Sequence, residues 1–180
     1  MNLEELIYHC KANNRKAQSE LFSRYKDTLY LLSLKYCRNQ AEAEDNLHDA
    51  FITILQKMKT YSGKGSFEGW MKRITIFKAI DKYKSKAPIS IEIKDDILED
   101  TTIERALCDL PLDLLLQMIQ ELPDQYRLVF NLYQLDDYSH KEIAHLLGIS
   151  EGTSKSNFHR AKGLLRKRIL EIRSELTPKN

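Results

Sequence analysis

The chain has 180 residues, 42% of them hydrophobic and 30% charged, with a formal net charge of +2. That length holds one domain or two small ones, and that balance describes a folded, water-soluble chain rather than a disordered one. The absence of a run of eighteen apolar residues excludes a membrane-spanning helix, so no membrane insertion is expected.

The near-neutral total conceals a segregation. Lys57 to Lys86 holds nine Lys/Arg and two acids, Glu92 to Asp113 holds eight acids and two bases, and Lys155 to Arg173 holds seven bases and one acid. Two basic blocks around an acidic one mean either two polyanion sites or two solvated helix faces with an acidic linker. Cys10, Cys37 and Cys108 lie far apart with no ligand spacing, as expected of reduced thiols in a cytoplasmic protein. The opening stretch "MNLEELIYHC" has neither a basic n-region nor an apolar h-region, so no signal peptide is expected.

In chain order, nearly every segment predicts helix. Asn2 can cap a first helix with Glu5 three residues on, and Leu3, Leu6, Ile7 and Cys10 share a face. After Asn13-Asn14 a longer helix carries Leu21, Phe22, Tyr25, Leu29, Leu32 and Tyr36, with Asn39 as its stop. A third stripe runs through Ala43, Leu47, Ala50, Phe51, Ile54, Leu55 and Met58. "YSGKGS" (61–66) breaks it, and Ser66 can cap a fourth helix ending near Ser85, before Ala87-Pro88. "ISIEI" (89–93) alternates like a strand but has no partner, so it is taken as extended linker. Helices at about 112–121 and 124–136 follow, with Pro123 in the first turn of the second. The expected fold class is all-α. Two small helical domains, 1–87 and 112–174, are joined by an acidic linker, 88–111, with a tail at 175–180.

The last helix pair carries a helix-turn-helix pattern. Ser139 and Glu142 form a capping box, Ile143, Leu146 and Leu147 give an apolar face, and Ala144 allows a close crossing. Gly148 can take the left-handed conformation that ends the helix, and Ser150 caps the next one. That next helix opens on small polar residues, which a groove-entering helix needs near base edges. Thr153, Lys155, Ser156, Asn157, His159, Arg160 and Lys162 are its candidate duplex contacts, and Phe158, Leu164, Leu165 and Ile169 its core face. The other reading is a capped surface hairpin with a basic exterior. Ser154 stands where an apolar residue is usual, and its hydroxyl could bond back to a carbonyl.

"AEDNLHDAFITILQKM" (43–58) and "FEGWMKRITIFKAIDKYKSK" (67–86) resemble the core-binding and promoter-melting segments of sigma-70-family factors of the extracytoplasmic-function (ECF) type. "LPDQYRLVFNLYQLDDYSHKEIAHLLGIS" (122–150) resembles the family's second domain. The resemblance covers about residues 15–87 and 115–170. It implies that 1–87 is sigma domain 2 and that 112–174 is sigma domain 4 with its helix-turn-helix. It implies core RNA polymerase and promoter DNA as partners, with an anti-sigma factor as a further partner. Asp45, Leu47, His48, Asp49 and Phe51 would meet the polymerase. Tyr61, Lys64, Phe67, Trp70, Arg73, Phe77, Lys78 and Lys82 would hold the melted strand, because single strands bind aromatic and basic side chains together. Three residues depart from the pattern: His48 replaces a common Gln, Thr75 a usual Ala, and Phe77 a usual Asn. Phe77 either faces DNA or joins Trp70 and Ile74 in the core, with which it shares a helical face.

The chain shows no HExxH, nucleophile elbow or dinucleotide loop, and "GKGS" lacks the earlier glycine of a P-loop, so no enzyme activity, cofactor or metal is expected. The remaining alternatives are a dimeric helix-turn-helix regulator that does not bind polymerase, and a helical adaptor that sequesters another factor.

Overall fold

The computed structural model describes residues 1–85 and 110–176, with side chains through residue 174. The expected extended linker at 89–93 and nearly all of the acidic segment lie outside the described residues. The chain divides into two compact units, Met1–Lys82 and Tyr83–Asn180. All regular structure among the described residues is helical.

The first unit is built from α1 (Leu3–Lys11), α2 (Arg15–Tyr36), α3 (Gln40–Lys57) and α4 (Phe67–Ser85). Local side-chain chemistry sets the starts. Asn2 and Glu5 form the expected reciprocal capping box on α1, and Asn14 caps α2 through the Ala17 N–H. Asn39 differs from expectation. It caps α3 by accepting from the Glu42 N–H at 2.9 Å, so it begins the next helix, two residues after α2 has already ended at Cys37.

The helices bury Leu6, Leu21, Leu29, Ile54, Met58 and Met71 in one core. A polar knot crosses that core. The fully buried Asn46 amide donates to Ser33 Oγ at 3.1 Å and to the Thr75 carbonyl at 3.2 Å, linking α3 to α2 and α4. Ser33 and Thr75 each donate one turn back, to the Leu29 and Met71 carbonyls. Thr75 is therefore a buried residue of this knot. Such bonds contribute about 0.5–1.5 kcal/mol each, less the cost of the Asn46 Oδ1, which is buried without a partner, and they link the three helices.

The second unit contains α5 (Leu112–Glu121), α6 (Asp124–Phe130), α7 (His140–Leu147) and α8 (Glu151–Leu176). Pro123 precedes the first helical residue of α6 rather than sitting within its first turn, and its carbonyl accepts from the Arg127 N–H at 2.9 Å. Arg127 is buried. Its guanidinium pairs with Asp124 and donates to the Leu122 carbonyl at 2.8 Å, closing the α5–α6 turn. The helix expected to run to 136 changes at Asn131 into a wider i→i+5 turn, Asn131–Leu135. Buried Asn131 donates its amide to the Arg127 carbonyl there at 2.9 Å. Ser139 and Glu142 box the start of α7, and Gly148 ends it at φ 68°, a left-handed conformation that favours glycine.

Candidate nucleic-acid interface

The helix-turn-helix of the second unit is α7, its glycine turn and α8. Ser150 Oγ accepts from the Thr153 N–H at 2.9 Å and lies 2.8 Å from Thr153 Oγ1, so α8 starts on a double hydroxyl cap. The apolar side of α8 buries Phe158, Ala161, Leu165 and Ile169. The opposite side leaves Thr153, Lys155 and His159 exposed, with Ser156, Arg160 and Lys162 half-buried along its edge. Lys155 bridges Glu151 at 3.0 Å, and hydrogen bonding and charge from Lys155 lower the Glu151 pKa. Both groups are exposed, so the pair contributes little to stability. Ser156 donates to the Gly152 carbonyl at 3.0 Å, and Lys162 Nζ sits 5.6 Å from the Phe158 ring centroid.

Asn157 departs from the expected set. It is 2% exposed and donates to Gln125 Oε1 of α6 at 3.0 Å, so it braces α8 from behind instead of presenting an amide to a base. Ser154 also differs from expectation. Its hydroxyl lies 2.9 Å from His140 Nδ1 in α7 rather than on a carbonyl of its own helix. The His140 ring stacks on Tyr133 at 4.1 Å between centroids and 12° between planes, and meets the edge of Phe158. Burial first, then the nearby Lys155 charge, lower the His140 pKa, so the imidazole is neutral at neutral pH. A buried hydroxyl with a neutral imidazole partner thus replaces the apolar contact expected between the two helices.

In the first unit, α3 presents Glu44, Asp45, His48 and Asp49 to solvent. Leu47 and Phe51, placed with them in the polymerase-facing set, point the other way. Both are buried, and Phe51 packs on Phe22 at 4.8 Å, because they belong to the helix's core stripe. Asp49 bridges Lys82 of α4 at 3.1 Å. Sequence reasoning missed Ile52, which is 56% exposed. It lies four residues after His48 and seven after Asp45, so the helical period that built the buried stripe also puts Ile52 outside it.

The segment before α4 turns through Gly63 and Gly65, at φ 77° and 82°, conformations that a side chain disfavours. It is tied at both ends. Tyr61 donates its hydroxyl to the Gly65 carbonyl at 2.9 Å, and Lys11 Nζ donates to the Tyr61 carbonyl at 3.0 Å. Tyr61 packs on Phe67 and Trp70, with centroids 5.0 and 5.2 Å away. Phe67 stacks on Trp70 at 5.6 Å and is 3% exposed. Phe67 is therefore core and offers no face to a base. Lys64 is exposed at the tip. Along α4, Arg73 is exposed and Lys78 half-buried, while Lys72 is bridged to Glu68 at 2.6 Å. Phe77 is 36% exposed, whereas Trp70 and Ile74 pack against the core.

The chain matches the family models described as Sigma-70 region 2, over residues 21–88, and Sigma-70, region 4, over residues 112–165. It is 30% identical over 185 residues to the ECF RNA polymerase sigma factor SigW of Bacillus subtilis, covering 96% of this chain and 99% of SigW. It is 31% identical over 162 residues to the ECF RNA polymerase sigma factor SigE of Mycolicibacterium smegmatis, covering 87% of this chain and 63% of that protein. Among solved structures, the sigma factor RpoE in complex with the anti-sigma factor NepR from Bartonella quintana shares the fold. The TM-score is 0.52 at 16% identity, over 86% of this chain and 96% of that one.

Proposed function

The chain belongs to the ECF class of sigma-70-family RNA polymerase sigma factors, which bind core polymerase and direct promoter-specific initiation, and from that premise we propose which of its surfaces does which part of the task. Residues 1–87 hold the polymerase and the opened strand, and residues 112–174 hold the upstream duplex. The family assignment does not favour the alternative of a helix-turn-helix regulator working without the polymerase.

The observation that carries the proposal is the two-sided build of α8: an apolar side locked onto α6 and α7, and an outer side of small, polar and basic residues starting at a capped N-terminus. Thr153, Lys155, Ser156, His159, Arg160 and Lys162 contact the upstream element, with base edges met near the helix start and phosphates further along. Asp45, His48 and Asp49, joined by Ile52, dock on a basic surface of the polymerase. Lys64, Tyr61, Arg73, Phe77 and Lys78 face the melted strand, with Trp70 supporting the aromatic cluster behind them.

The protein performs no bond chemistry in this reading. It lowers the free energy of the open complex by holding separated DNA, and it works in the cytoplasm, where the polymerase is. An anti-sigma protein, of the kind bound to the solved neighbour, is a further proposed partner that would block these surfaces.

The test is run-off transcription with bacterial core polymerase on a library of genomic duplex fragments, with co-elution measured in parallel. Promoter-dependent transcripts that need both proteins are expected. Failure to co-elute with core, combined with dimeric binding to palindromic sites, would overturn the proposal.

A further inference from the structure

His140 joins α7 to α8 through a ring that can take up a proton. Its Nδ1 lies 2.9 Å from the buried Ser154 hydroxyl, and the ring is stacked on Tyr133 of the preceding turn. These two contacts fix the orientation of the imidazole. The other nitrogen, Nε2, has no hydrogen-bond partner among the described residues and is not one of their buried unpartnered atoms, so it opens to water. The charged groups that reach the ring stand at the start of α8. Lys155 and His159 oppose a proton on it, and Glu151 favours one. Glu151 is already bridged to Lys155 at 3.0 Å. On α7 itself Lys141 is exposed, and Ser139 holds the Glu142 carboxylate. A duplex phosphate would change this balance. It brings an anion to a surface where Lys141 and Lys155 already attract one, and a protonated imidazole is a strong, charge-assisted donor to it.

We propose that His140 donates through Nε2 to a phosphate of the upstream duplex and takes up a proton in doing so, which makes duplex binding pH-dependent. The proposal rests on the assignment of residues 112–174 to the upstream element. Protonation does not undo the contact between the helices. Nδ1–H then donates to Ser154, whose own hydrogen turns to the carbonyl one helical turn back. On the duplex His140 holds its proton more tightly than off it. Its contribution to binding is therefore full at low pH and is lost as pH rises through the bound-state value.

The test uses holoenzyme formed from the full chain and core polymerase, on a duplex carrying the upstream element selected by wild type. Affinity is measured at several salt concentrations at about pH 6 and about pH 8, the range in which a histidine titrates. Wild type is compared with His140→Gln, which is polar but never charged, and with His140→Lys, which is charged at both pH values. The same core polymerase serves all three, so its own pH response cancels.

The advantage of wild type over His140→Gln should be about 3- to 10-fold larger at the lower pH, tenfold corresponding to a one-unit rise of the His140 pKa on the duplex. The salt slope of wild type should exceed that of His140→Gln by up to about 0.9 at the lower pH and match it at the higher, while His140→Lys stays steep at both. Replacing phosphates one at a time by neutral methylphosphonates should find one position that costs wild type affinity at the lower pH and leaves His140→Gln unaffected. Parallel pH profiles for wild type and His140→Gln overturn the inference. So does a loss in His140→Gln that is equal at both pH values with an unchanged salt slope, because the ring would then serve packing alone. Circular dichroism identifies a variant that fails to fold. In that case the methylphosphonate scan of wild type decides by itself, and a scan that does not change with pH overturns the inference. Wild type that ignores the upstream element at both pH values refutes the assignment of residues 112–174, and the phosphate contact falls with it.

Discussion

Breaking the Ser154–His140 pair from its two sides should give unequal losses. In Ser154→Ala no buried polar group is left behind, and half-exposed His140 turns to water. The loss is one net hydrogen bond, about 0.5–1 kcal/mol. His140→Ala is worse. It strands a fully buried hydroxyl, which costs about 1–3 kcal/mol, and removes a stacked ring contact with Tyr133 worth about 0.5–1.5 kcal/mol. The stranded hydroxyl recovers part of this by turning to the carbonyl one helical turn back, so the expected loss is about 2 kcal/mol. The double variant should resemble His140→Ala alone, with a coupling energy of about 1 kcal/mol. The assay is urea denaturation followed by two probes. The single tryptophan, Trp70, lies in the first unit and its fluorescence should not move, whereas the far-ultraviolet circular dichroism transition of the second unit should shift down. Additive single effects, or a shift in the tryptophan transition, would refute the reasoning.

Asp45→Lys with Asp49→Lys should abolish co-elution with core polymerase. It should change helical content little, because the lost Asp49–Lys82 bridge is exposed and worth under about 1 kcal/mol; wild-type affinity of the double variant would remove α3 from the docking surface. Changes at Lys155 or Ser156 should alter the preferred base in a randomised upstream element, whereas Asn157→Ala should lower stability by about 1–2 kcal/mol through its lost bond to Gln125 and leave base preference unchanged. Arg160→Ala should weaken duplex binding across sequences and reduce the salt slope by roughly one unit, measured by titration at several salt concentrations. His140 holds its proton less tightly when folded, so the stability it confers is full above the ordinary histidine pKa of 6.5 and is lost as pH falls from there through the folded value. Urea midpoints between about pH 7.5 and 5 should therefore slope less in His140→Gln than in wild type.

What the sequence determined by itself was whatever acts over three or four residues. The boxes at Asn2–Glu5 and Ser139–Glu142, the stop at Gly148 and the cap at Ser150 are contacts between near neighbours in the chain, so spacing and residue type suffice to place them. The all-helical character and the polar, basic opening of α8 were legible for the same reason. Even locally, Asn39 read as a stop while it serves as a cap, since one asparagine fits either role. The tertiary structure decided which side of each helix is covered. Periodicity puts Phe67, Trp70, Ile74 and Phe77 on neighbouring lines of α4, but only the packing of Tyr25 and Tyr61 buries Phe67, while Phe77 stays 36% exposed. Asn157 is polar and sits in the reading stretch, yet Gln125, 32 residues earlier, draws it inward. Ser154 finds its partner in His140 across the turn, and Asn46 joins Ser33 and Thr75 across three helices. Most buried polar groups take a hydrogen-bond partner, and which distant residue supplies it depends on the closure of the helices around the core.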